Sequence, residues 1–180
     1  MYKLIIPCQE IYNEQTNEFS EIKETVLQLE HSLVSLSRWE SITHKPFLVE
    51  KPPKTEDEWR LYIQCMTITQ NVNPEIYSAI TKKQIEDVLK YIDDPMSATW
   101  FNDKNRGVGN KTGEIITSEY LYYLMVEMNI PLECQKWHLN RLMTLLRIIS
   151  LKSKGNGKMS QKELANNYSA LKAARRKPKI

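Results

Sequence analysis

Three times in this chain a Ser or Thr is followed three residues later by Glu or Gln, just ahead of apolar residues at helical spacing: Thr55–Glu58, Thr81–Gln84 and Ser160–Glu163. In such a capping box the hydroxyl accepts from the backbone N–H three residues on while the longer side chain reaches back, satisfying donors that a helix start leaves unpaired. Each box fixes where a helix begins, so a mainly α fold is expected. The first leads into a stripe of Trp59, Ile63 and Met66, and the second into Ile85, Val88, Leu89 and Ile92, ended by Asp93-Asp94-Pro95. Asn73-Pro74 opens a further short turn of helix through Ile76 and Ile80.

Ser32 stands at an N-cap position before Leu33, Leu36 and Trp39, whose spacing of three puts them on one face of a helix ending near Ser41. Lys45-Pro46-Phe47 and Lys51-Pro52-Pro53-Lys54 then read as a loop, because each proline biases its predecessor away from helix. Before Ser32 the period changes to two. Tyr2–Ile6 and 22–30 read as paired strands, with Thr25, Leu27 and Leu29 on one face and Val26 on the other, joined through the polar turn 13–17. The expected architecture is a small N-terminal β-hairpin packed on a helical bundle, with a separate C-terminal helix.

In the second half, residues 102–114 are glycine-rich and polar and read as a loop. Ser118 is expected to cap a helix from Glu119 to Asn129 bearing Leu121, Tyr122, Met125 and Met128. Pro131 suits the first turn of the longest helix, running to about Leu151 through Trp137, Leu139, Leu142 and Leu146. So short a connection predicts a helical hairpin.

Beyond residue 151 the composition changes. Residues 151–180 carry nine Lys or Arg against the single acid Glu163, a net +8, and the whole chain's +3 then leaves −5 on residues 1–150. The expected division is a helical domain over 1–151, a flexible basic linker over 152–159, and a basic amphipathic helix over 160–180. In that last helix Met159 staples on Leu164, and Leu164, Tyr168 and Leu171 share one narrow stripe.

Chemistry-bearing patterns are weak. Cys134 and His138 stand four apart on the expected long helix, but two ligands without a CxxC or HExxH do not make a zinc site. The run Gly107-Val108-Gly109-Asn110-Lys111-Thr112-Gly113 lacks the glycine before its lysine that a phosphate-binding loop needs. Three widely spaced cysteines, Cys8, Cys65 and Cys134, argue for reduced thiols. No run of about 18 apolar residues is present to span a bilayer, and the N-terminal apolar stretch is too short for a signal peptide. The basic tail would attract phosphates, yet Tyr168 is its only aromatic for stacking on bases, so nucleic acid is not the expected partner. The reading is a binding protein rather than an enzyme, with no cofactor and no membrane contact.

Three stretches carry a family resemblance. Leu29-Glu30-His31-Ser32-Leu33-Val34-Ser35-Leu36-Ser37-Arg38-Trp39-Glu40-Ser41 with Lys45-Pro46-Phe47-Leu48, then 133–142 (ECQKWHLNRL), then Met159-Ser160-Gln161-Lys162-Glu163 through Ala173-Ala174-Arg175-Arg176, resemble a family of small tailed-bacteriophage proteins linked to tail morphogenesis, the tail assembly chaperones. The resemblance extends over nearly the whole chain. It implies a non-catalytic helical protein of the host cytoplasm that binds the tape measure protein, with tail-tube subunits as a second candidate partner, keeping the tape measure's long helices soluble until the tube forms. The alternative it leaves is a structural virion component such as a baseplate, tail-completion or connector protein. Self-association is a further possibility. On this view the contact residues are Trp137, Arg141 and Leu142 on the long helix, with Leu164, Leu171, Arg175 and Arg176 on the last one, since aromatics and arginine are the usual anchors of interfaces. For Trp137 and Leu142 plain core packing is the competing reading, as it is for Trp39 and Trp59.

Overall fold

A computed structural model describes residues 1–13, 18–49, 51–101 and 115–154. The expected helix over 160–180, residues 155–159 of its linker and the glycine-rich run lie outside the described residues, while residues 152–154 of the expected linker are helical, continuing the helix that begins at Leu139. The fold is mainly helical with antiparallel strands at the N-terminus: β1 (Tyr2–Ile6), β2 (Gln9–Asn13), β3 (Glu18–Ile22), β4 (Thr25–Leu29), α1 (Leu33–Thr43), α2 (Glu56–Met66), α3 (Glu75–Ser78), α4 (Lys82–Asp93), α5 (Ser118–Glu127), a 3-10 helix (Leu132–Lys136) and α6 (Leu139–Lys154). The chain divides into two compact units, Met1–Thr144 and Leu145–Ile180, so the division falls within α6, ahead of the composition change at residue 151.

The expected hairpin is present and longer than its apolar pattern suggests. β1 pairs with β4 and β2 with β3, both antiparallel. Three residues on from the Ile6–Thr25 pair, in the same register, is the Gln9–Ile22 pair. The two ladders are therefore one ribbon interrupted at Pro7, which has no N–H to give. Along β1 and β4, Leu4, Ile6, Leu27 and Leu29 are buried while Lys3, Ile5, Val26 and Gln28 face out, the alternation of a strand pair covered on one side. The outer edge of β4 is covered by the chain leaving α2. Met66 O accepts from Glu30 N and Gln28 O accepts from Ile68 N, both at 2.9 Å. On the other edge Gln84, from the second capping box, donates to Ile5 O at 2.9 Å, and α4 packs against β1.

The helix starts fall where hydroxyl chemistry places them. Thr55 and Glu58, and Thr81 and Gln84, cap reciprocally, and Ser32 does the same with Ser35 in the role of the longer side chain. α1 packs on α2, α5 and the 3-10 helix, and α2 packs on α3 and α4. Trp39 is fully buried, whereas Trp59 is only half-buried. Phe47 folds the α1–α2 connection onto these rings, 5.2 Å from Trp39 and 4.0 Å from Tyr62 between centroids. Lys54 sets its ammonium 4.5 Å from the centre of the Phe47 ring.

Two expectations are corrected. α5 is capped by Thr117, whose hydroxyl accepts from Tyr120 N, with Ser118 as its first helical residue and its amide met by the Glu40 carboxylate at 2.7 Å. The single long helix from Pro131 is instead a 3-10 turn followed by α6, with extended backbone at Trp137. There the chain leaves the helix to pair with the start of α1: Ser32 and His138 form an antiparallel bridge, and Leu139 N donates to His31 O at 2.9 Å. Cys134 and His138 therefore do not share a helix, and α5 and α6 are not joined by a tight hairpin turn. α5 instead rests on α1.

His31, buried at the end of β4, gathers these elements. Its Nδ1 lies 2.6 Å from the Tyr62 hydroxyl of α2, its backbone N–H points to the Tyr91 hydroxyl of α4, and its ring stands edge-on to His138 with centroids 5.0 Å apart. Burial, and then the neighbouring His138, push its pKa down to about 3, so the imidazole is neutral in the fold. Burial also lowers His138, whose Nδ1 is buried without a partner among the described residues. A depressed histidine pKa makes the unfolded chain, with its value near 6.5, the better proton acceptor. Its contribution is whole above about pH 6.5 and is lost as pH falls toward 3, at up to roughly 1.4 kcal/mol per pH unit. Urea titrations at pH 7, 6, 5 and 4 should show His31→Gln losing stability less steeply with acid than the parent. Parallel slopes would show that His31 is not the group responsible.

Candidate functional site

α5 reads Ser-Glu-Tyr-Leu-Tyr-Tyr-Leu-Met-Val-Glu, apolar or aromatic between Glu119 near its start and Glu127 at its end. Apolar side chains therefore stand on both sides of the helix, and each side calls for cover. One side has it: Ser118, Leu121 and Met125 are buried, and α5 packs on α1. The other does not. Tyr123 is 57% and Val126 68% exposed, and half-buried Tyr120 lies with its ring 6.2 Å from that of Tyr123. Spacings of three place Tyr120, Tyr123 and Val126 on one stripe.

The stripe is held in place from behind. The buried Glu40 carboxylate accepts from Phe47 N at 2.8 Å through Oε1 and from Ser118 N at 2.7 Å through Oε2. One side chain on α1 thereby fixes both the α1–α2 connection and the start of α5. On the far side Tyr122 donates its hydroxyl to Gln135 Oε1 at 2.9 Å, holding the 3-10 helix to α5. That helix exposes Leu132, 55% accessible, and Glu133.

Two carboxylates share this face, Glu119 and Glu127, four residues to either side of Tyr123. Hydrogen bonds from its own backbone N–H, and then from Thr117, hold Glu119 below the usual carboxylate range. Glu127 is hydrogen-bonded to the Tyr123 hydroxyl and pushes that phenol's pKa up, so the phenol stays protonated at neutral pH. α5 contains no Lys or Arg, and among the described residues none of Glu119, Glu127 and Glu133 is ion-paired.

Of the residues expected to make contacts, Trp137 and Arg141 come together. The Arg141 guanidinium lies over the Trp137 ring, 4.4 Å from its centroid, with the arginine exposed and the indole half-buried. Leu142 is wholly buried. It is a core residue, and no partner reaches its side chain in this fold. Leu164, Leu171, Arg175 and Arg176 lie outside the described residues. In the sequence the α5 stripe is hidden behind the core face that Leu121 and Met125 supply. Its signal is that Tyr123 and Val126, on the opposite side, are aromatic and apolar rather than charged.

Elsewhere, an open groove of about 280 Å³ is lined by Val34, Arg38, Cys65, Met66, Ile68 and Lys136 among others. Burial pushes the Cys65 thiol up to about 11, which leaves it unreactive as a nucleophile. All three cysteines are free, and no group of three His, Cys, Asp or Glu side chains among the described residues is placed to hold a metal ion. No helix among the described residues is long and apolar enough to cross a membrane. No protein-family model, no curated protein and no solved structure matches the chain.

Removing the Glu40 carboxylate leaves two buried amides without acceptors, at a cost of roughly 1–3 kcal/mol for each group so stranded. Glu40→Ala should therefore lose about 2–6 kcal/mol in denaturant unfolding, and Glu40→Gln, which keeps one carbonyl acceptor, should lose less. Equal stability of Glu40→Ala and the parent would contradict this role.

Proposed function

We propose that this protein is a tail-assembly-chaperone-like factor of a tailed bacteriophage, which binds apolar helical stretches of the tape measure protein in the host cytoplasm and keeps them soluble. The exposed stripe of α5 carries the reading. Tyr123 and Val126, exposed on α5 between Glu119 and Glu127, suit the apolar side of another helix, in the way amphipathic helices are held by apolar surfaces. The phage setting rests on the likeness of residues 29–41 with 45–48, 133–142 and 159–176 to that family.

The energetics suit a temporary holder. Covering Tyr123, Val126 and Leu132 supplies roughly 5 kcal/mol before costs. Association opposes this with a term of similar size. One such contact is weak and readily released, and several along a long client add up. Trp137 and Arg141 offer an aromatic and arginine pair on the same compact unit as a second contact.

Co-expression with the tape measure protein of the same phage tests the proposal. The parent chain should raise the soluble fraction of the tape measure severalfold, and Val126→Asp should remove that gain while its own melting temperature stays within a few degrees of the parent's. The proposal fails if the parent gives no gain, or if Val126→Asp works as well as the parent.

A further inference from the structure

Resting on the reading of α5 as a client surface, we infer that the surface selects by charge: its occupant is an amphipathic helix whose apolar face is flanked by Lys or Arg. Glu119 stands at the start of α5, Glu127 at its end and Glu133 on the 3-10 helix that Tyr122 ties to it. All three are exposed. With no basic residue on α5 and no ion pair to these carboxylates among the described residues, their charge is left for a partner to meet. The Tyr123 phenol, held by Glu127, adds no charge of its own.

Other occupants are disfavoured by the same groups. A second copy docking through its own α5 would set carboxylates against carboxylates. Nucleic acid and anionic lipid would meet the negative charges of Glu119 and Glu127 on either side of Tyr123, and that of Glu133 on the 3-10 helix. A helix with basic flanks meets attraction at the rim and cover at the centre, the arrangement in which rim charges set partner choice while apolar contact holds the pair. Each exposed rim pair contributes about 0.2–1 kcal/mol, so three together give a preference of about tenfold. The selectivity is screened by salt, whereas the apolar contact is not.

The test uses the full-length protein and two labelled synthetic peptides that share a leucine stripe and differ only in flanks of Lys or of Glu, with binding followed by fluorescence anisotropy. The Lys peptide should bind about tenfold more tightly than the Glu peptide at low salt, with the gap closing at 0.5 M salt. Glu127→Lys with Glu133→Lys should invert the preference, and Val126→Asp should weaken both peptides. If both peptides bind equally and Val126→Asp still weakens them, the charge selectivity is wrong and the client surface stands. Binding indifferent to Val126→Asp, or no binding of either peptide, overturns the inference together with the surface.

Discussion

The contacts of His31 are the constraint on which the rest of this fold depends. At one residue between β4 and α1 the imidazole meets the Tyr62 hydroxyl, the backbone N–H meets Tyr91, and the carbonyl takes the Leu139 amide. Strand, three helices and the head of α6 are thereby brought to one point. Burial forces the imidazole to be neutral, and a neutral imidazole can both give and accept, which a hydroxyl-lined interior requires. Tyr62 is suited to the site because its own burial keeps the phenol protonated. Ser32, next in sequence, caps α1 and bridges to His138, so the same two residues set a helix start and a cross-chain pairing.

The order established there passes outward through Glu40, two turns further along α1. A buried carboxylate is stable only when its oxygens are met, and here two backbone amides from distant segments meet them. This is what gives α5 a fixed presentation. Its inner residues complete the core beside α1, and its outer residues stand uncovered. The exposed stripe is therefore a property of the packing of α1, and substitutions that loosen Glu40 disturb the surface without touching it.

What the sequence made legible was local. Thr55 with Glu58 and Thr81 with Gln84 marked helix starts because capping is decided within one turn, and Leu27, Val26 and Leu29 disclosed a strand by their alternation. What it hid was set by contacts far along the chain. Pro131 and the apolar spacing beyond it suggest a continuous helix, yet the chain turns extended at Trp137, and His138 and Leu139 pair with Ser32 and His31, about a hundred positions earlier. Thr117 rather than Ser118 caps α5, its hydroxyl taking the Tyr120 amide, while the Ser118 amide is met by Glu40 from far along the chain. The strands β2 and β3 escaped notice because Gln-Glu-Ile-Tyr-Asn and Glu-Phe-Ser-Glu-Ile carry little apolar alternation. The candidate surface was half visible. Trp137 and Arg141 were named from their chemistry, whereas burial of Leu142 and exposure of Tyr123 depend on which side of each helix meets α1 and the core.

The central claim is that the outer face of α5 touches a helical client. Photo-crosslinking in phage-infected cells addresses it directly, with a benzophenone amino acid placed at position 123 and, as a control, at the equally exposed position 42 on α1. The account predicts a crosslink from position 123 to the tape measure protein, early in assembly, and none from position 42. Crosslinks to the tape measure from position 42 alone, or from neither position, would contradict it.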